Sequence, residues 1–161
     1  MDLTRLAFRM IDYYAGDARR INHFIRVHGY ARLIGLNENL DDQTQAILEV
    51  AAFVHDIGIK PSEEKYGHCE GPLQEKEGPP VAHAMLSELG FPEDVIERVC
   101  FLVGHHHTYT HIDGIDYRIL VEADFLVNAI DSQMPPENIR SVKERIFRTA
   151  SGVAILDLLT A

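Results

Sequence analysis

His55 and Asp56 stand side by side in the run Ala-Ala-Phe-Val-His-Asp-Ile-Gly, residues 51–58. The run is otherwise apolar and reads as buried helix. A carboxylate in such surroundings is costly unless something positive compensates it. A divalent cation does so, and imidazole with carboxylate is a common donor mix for one. Two more residues share this character. His23 lies in line with Val27, Tyr30, Ala31 and Ile34, on the core-facing stripe of a helix. Asp124 falls four residues after Leu120 and three before Val127, in an apolar run. Three helices thus each point an imidazole or a carboxylate toward apolar surroundings.

Each residue alone has a plainer explanation. A core-facing histidine usually bonds a neighbour and binds nothing. Asp124 could pair with an arginine such as Arg20, and His55-Asp56 could be a polar helix end. Together they are harder to dismiss, because several buried ionisable groups without a shared partner would cost several kcal/mol. One metal held by His23, His55, Asp56 and Asp124 compensates all of them. A run of three histidines, His105-His106-His107, ends a later helix. Successive helical residues differ by about 100° around the axis, so all three cannot face one site. A polar helix end that complements the dipole is the plain reading there.

The elements that must position these residues read as helices throughout. Helical spacing covers 3–14, about 18–35 with Asp17 as N-cap and Gly35 near its end, and a third helix from Asp41 or Asp42 through Asp56. Residues 60–80 carry three glycines and four prolines and read as a long polar connection, of the kind that forms functional lids. Helices follow over 81–89, from Pro92 to the histidine run, over 115–131, and over about 138–159. No alternating strand pattern persists. The expectation is all-α: one domain over 1–161, a bundle of about seven helices.

Length and composition agree with a globular domain, at 161 residues, 46% hydrophobic and 25% charged. The net charge of −10 argues against nucleic acid and anionic membrane surfaces as partners. It leaves room for a phosphorylated small molecule, since bound cations create local positive potential. Cys69 and Cys100 lack metal-type spacing and point to a reducing compartment. No apolar run reaches membrane-spanning length, and a cytoplasmic location is expected. A homodimer is left open.

The order His23, His55-Asp56, Asp124 resembles the H…HD…D signature of the HD-domain metal-dependent phosphohydrolases. The flanks agree: Arg20-Ile21-Asn22-His23 with Val27 and Tyr30-Ala31, Ala-Ala-x-x-His-Asp-Ile-Gly, and Glu122-Ala123-Asp124. The resemblance covers about residues 18–130, with the helix at about 138–159 packing on that region. It implies an all-α fold with a central metal held by His23, His55, Asp56 and Asp124. Branches with two or three metals add histidines between the HD pair and the last aspartate. The corresponding stretch here, Glu77-Gly78-Pro79-Pro80-Val81-Ala82, puts Glu77 at that ligand position, with His83 as the other candidate. The following ligands would fall on His105 and His106. The chain has HDIGIK where cyclic-dinucleotide phosphodiesterases of this family have HDIGK, and no GYP follows, which argues against a cyclic dinucleotide substrate.

The resemblance implies a metal-dependent phosphohydrolase that cleaves a phosphoester or phosphoanhydride of a small metabolite, a nucleotide being the leading expectation. Metal-activated water would be the nucleophile. Asp56 would bridge in a two-metal version, and His105, His106, His107 or Lys60 would serve as acid. Arg20, Lys60 and Tyr109 are the candidates for substrate binding. One or two divalent ions among Mn, Fe, Zn, Ni and Co suit the donors, and Mg suits the imidazoles less well. The rivals are a non-catalytic nucleotide- or metal-binding regulatory module, a hydratase or di-iron oxygenase on the same helices, and a plain helical interaction domain.

Overall fold

The chain's helices begin where aspartates can cap them. Asp2, Asp17 and Asp41 accept from the backbone N–H of Arg5, Arg20 and Thr44, and so start α1 (Leu3–Tyr13), α2 (Ala18–Asn37) and α3 (Asp42–Val54). A computed structural model describes residues 1–161. Six further helices follow: α4 (Ile59–Tyr66), α5 (Gly71–Glu88), α6 (Glu93–Val103), α7 (Ile115–Asp131), α8 (Pro136–Ile146) and α9 (Ala150–Leu159). The fold is all-α, as expected. One apolar cluster of 35 buried residues runs through it. Helices α2, α3 and α7 pack on one another at the centre, α6 covers α3 and α5 packs on α6, and α8 and α9 lie on α7.

Nine helices replace the seven expected, and both additions have a physical cause. Residues 60–80 are not an open connection. They form α4, a left-handed Gly67 that ends it, and the first half of α5. Pro79 and Pro80 lie inside α5 and have no N–H to give to the preceding turn. The helix continues because it is sealed from both sides. A Cβ on Gly78 would stand 2.7 Å from Val103, and a Cβ on Gly58 would stand 2.8 Å from the Gly78 nitrogen and against the Gln74 carbonyl. These two glycines allow the α5 backbone to lie directly on the segment that follows α3.

The second addition divides the expected helix over 138–159. Phe147 is extended, and Thr149 caps α9 by accepting from Gly152 N–H. The break is held by Glu122 of α7, which is fully buried. Its carboxylate accepts from the N–H groups of Arg148 and Thr149, at 2.7 and 3.0 Å, and from the Thr149 hydroxyl at 2.5 Å. Those N–H groups therefore serve the interhelical joint and not a continuous helix.

At the end of α3 the chain also departs from expectation. The helix stops at Val54, and residues 55–58 form a tight turn. Ile57 N–H donates to Val54 and Ile59 N–H to Asp56, in the narrower i to i−3 pattern. Tyr14 and Tyr13 of α1 donate their hydroxyls to the carbonyls of Asp56 and Ile57, at 2.7 and 3.1 Å.

Gly58→Ala should test the close approach. The added methyl would meet backbone atoms that cannot turn aside. A loss of about 1–3 kcal/mol in urea unfolding is expected, the usual cost of forcing an extra group into a packed interior. Unchanged stability would contradict the packing described.

Candidate metal centre

Each donor reaches the centre from a different element. His23 stands on the inner face of α2, Asp124 on α7, and His55 and Asp56 occupy the turn after α3. His23 Nε2 lies 3.2 Å from His55 Nε2, 3.2 Å from Asp56 Oδ2 and 3.1 Å from Asp124 Oδ1. His55 Nε2 lies 3.3 Å from Asp56 Oδ2 and 3.6 Å from Asp124 Oδ1. Donor atoms about 2.0–2.2 Å from one ion, at tetrahedral or octahedral angles, stand roughly 3.0–3.5 Å apart. His23, His55 and Asp56 bring donor atoms within 4.8 Å of one another and could hold a cation, and Asp124 Oδ1 approaches them from the side of the two imidazoles.

Partners outside the cluster aim the donors. The fully buried His55 gives its Nδ1 hydrogen to the Ala52 carbonyl at 2.8 Å, which turns Nε2 toward the carboxylates. Asn128, one turn along α7, donates to Asp124 Oδ1 at 3.0 Å. Burial disfavours a charge on either imidazole, but the carboxylates outweigh it. His23 is raised to about 8 by Asp124 and Asp56, and His55 is held well above the ordinary imidazole value. For Asp56 and Asp124 burial likewise opposes the charged form, and the facing imidazoles prevail and hold both carboxyls low. Protons on the histidines thus do in this network what a divalent cation would do, and binding one would release them.

A second group of donors shares Asp56. The donor atoms of Asp56, His106 and His107 all lie within 4.8 Å of one another. His106 gives its Nδ1 hydrogen to Val103 at 2.8 Å, so Nε2 carries a lone pair. That buried Nε2 has no hydrogen-bond partner, yet it faces Asp56 Oδ1 at 3.4 Å. Two acceptors facing each other in the interior repel unless a cation or proton lies between them. His107 gives its Nε2 hydrogen to Gln74 Oε1 at 2.9 Å, while the same amide donates to the Cys69 carbonyl. Nδ1 is then its free donor, and burial, with His106 nearby, lowers the imidazole to about 4.

The sequence matches the HD domain family over residues 20–157. The chain belongs to the HD-domain family. A search of curated proteins finds no match. Among solved structures, a predicted HD superfamily hydrolase from an uncultured Thermotogales bacterium is similar, with a TM-score of 0.65. The two are 23% identical, over 96% of this chain and 81% of that one, a likeness of fold. The family match runs past the signature region into α8 and α9. An HD-domain fold implies a divalent metal, and the two donor groups suit one.

Several residues expected at the HD-domain centre lie elsewhere. Glu77 is turned away and bonded by Lys65 and Tyr66. His83 is exposed and paired with Glu93. His105 stacks on Phe101 and bonds its carbonyl at 2.6 Å, so His106 and His107 are the members of the run that face the donors. The reason is the turn after α6, which rotates the run away from helical phasing. Lys60 reaches the Tyr13 carbonyl and lies over that ring, outside the central cavity. Tyr109 rests against Phe125 and does not line the cavity either.

His23, Asp56, Asp124 and His107 line an open cavity of about 400 Å³, with His55 and His106 buried behind them. Arg20 lines it, with its guanidinium held by both oxygens of Glu63 and by Asp17. Arg19, Gln74, Asn128 and Ser132 also line it and had no signal in the sequence. They are ordinary polar residues that only the packing of α2, α5 and α7 brings together.

Asp56→Ala should remove bound metal, measured by elemental analysis of protein purified without chelator, while far-ultraviolet circular dichroism stays near wild type. His105→Ala should leave metal content unchanged. Loss of metal in the His105 variant, or retention in the Asp56 variant, would contradict this placement.

Proposed function

We propose that this protein is a metal-dependent phosphohydrolase, with His23, His55, Asp56 and Asp124 holding a divalent cation. The observation that carries the reading is that both imidazoles stand 3.1–3.6 Å from both carboxylates beside an open cavity. A second ion would be held by Asp56, His106 and His107, on the evidence of the unpartnered His106 Nε2. The imidazole-rich donor set suits Mn, Fe, Zn, Ni or Co better than Mg. A cation bound there supplies Lewis acidity and lowers the pKa of water near neutrality.

The chain's own groups do the remaining work. With a single ion bound, His107, whose Nε2 hydrogen goes to Gln74, lines the cavity as a neutral imidazole and is placed to accept a proton from attacking water. With a second ion, His106 Nε2 and His107 Nδ1 would be its ligands and accept none. Arg20, neutralised by Glu63 and Asp17, shapes the cavity wall beside the donors. Water oxygen bonds to phosphorus, the ester P–O bond breaks, and a proton passes to the departing oxygen. Lys60 takes no part in this scheme, since it lies outside the cavity. The similar Thermotogales protein is named a predicted hydrolase, which agrees with this reading.

A screen of phosphomonoesters, phosphodiesters and nucleotides tests the reading. Phosphate release should be abolished by chelation and restored by added metal. No hydrolysis across the panel by fully loaded protein would overturn it. Two irons with oxygen consumption would move the assignment to an oxygenase, and nucleotide binding without turnover to a regulatory module.

A further inference from the structure

The lining of the cavity differs from what a nucleotide requires. Of its twelve lining residues only Ile59 and Cys69 are apolar, and none is Phe, Tyr or Trp. A base generally stacks on an aromatic face, worth about 1–3 kcal/mol. Tyr66 and Tyr109, in the segments that flank the site, do not line it. Tyr66 donates to Glu77, and Tyr109 rests on Phe125. About 400 Å³ admits either a nucleotide or a smaller ester, so the chemistry of the walls decides.

Charge around the cavity narrows the class further. Arg20 is saturated by Glu63 and Asp17. Asp131 is saturated by a two-point pair with Arg26 at 2.8 and 2.6 Å. Arg19 is different: it is exposed, lines the cavity, and makes no ion pair or side-chain hydrogen bond. One free cation matches one anionic group. A bound cation at the donors would serve the reacting phosphate, and beyond it Arg19 is the one unpaired cationic side chain lining the cavity for any further phosphate, in a protein whose net charge is −10. Around the rest of the wall stand Gln74, bonded to His107 and the Cys69 carbonyl, Asn128, bonded to Asp124, and Ser132, bonded to the Asn128 carbonyl. They keep their remaining amide and hydroxyl capacity for a ligand. Such spare capacity pairs with the hydroxyls of a hydrophilic ligand, whereas these residues offer a flat base no apolar surface to cover.

We propose that the cavity takes a small, hydroxyl-rich phosphate monoester, of the sugar- or polyol-phosphate class and not a nucleotide, with Arg19 as the side chain that grips its phosphate. The substrate class rests on the phosphohydrolase reading, whereas the ligand class can be tested apart from it.

Isothermal titration of the metal-loaded protein with a sugar phosphonate, which resists hydrolysis, is compared with titration by adenosine monophosphate. The sugar phosphonate should bind at least about tenfold tighter. Arg19→Ala should weaken it by about tenfold or more, as expected for loss of one charge-assisted hydrogen bond. Arg19→Lys should restore part of that loss. Because Arg19 is exposed and unpaired, neither variant should alter the melting temperature. In turnover, Arg19→Ala should raise KM for the sugar phosphate while kcat changes little. Equal or tighter binding of adenosine monophosphate, no binding of either ligand, or no effect of Arg19→Ala would each overturn the proposal. Preferential binding of the sugar phosphonate without hydrolysis of any ester would uphold the ligand class and end the phosphohydrolase reading.

Discussion

Two carboxylates and two imidazoles meet inside this protein, and their mutual compensation is the constraint on which the rest of the structure depends. None of the four could be buried alone without a large desolvation cost. Brought together from α2, the turn after α3, and α7, they neutralise one another and leave donor atoms close enough that they could hold a cation. The three central helices must therefore keep a fixed arrangement. Their apolar faces supply the attraction, and the charged cluster selects the register in which they meet.

The surrounding elements serve that arrangement. Helix α1 ties its two tyrosines to the carbonyls of Asp56 and Ile57, which pins the turn from behind. Helix α5 presses on the same turn through Gly58 and Gly78. Glu122, two residues before Asp124, anchors the joint between α8 and α9 and so fixes α7 along its length. Backbone carbonyls hold Nδ1 of both His55 and His106, so that Nε2 of each faces the carboxylates. Local hydrogen bonds thereby decide which nitrogen can bind a metal or move a proton.

Chemistry at the cavity wall follows from the same packing. Most charged side chains there already have partners: Arg20 with Glu63, Asp131 with Arg26. Saturated pairs shape the wall without adding net attraction for a ligand. What the packing leaves at the wall is the donor cluster, an unpaired Arg19 and the partly engaged polar side chains of Gln74, Asn128 and Ser132. The proposed ligand class rests on that combination.

Much of this could be read along the chain before any coordinates. Helical periodicity placed α2, α3 and α7, and the same periodicity put His23 and Asp124 on inward faces, because burial leaves a repeating apolar record. Adjacency alone marked His55-Asp56, since two polar residues rarely interrupt so apolar a run. Other features left no such record. The prolines of α5 read as a break, and only contact with Gly58 and Val103 keeps that helix intact. Glu77 matched a ligand position by alignment, yet Lys65 and Tyr66 draw it away. Of the three histidines at 105–107, a turn and not a helix decides which two face inward. Burial patterns short in range marked most of the helices and singled out His23, His55, Asp56 and Asp124 as candidate donors, while α4 and the break between α8 and α9 left no such pattern. Tertiary structure alone decided how the cavity is lined and which cation stays free, because pairing between distant segments has no periodicity to betray it.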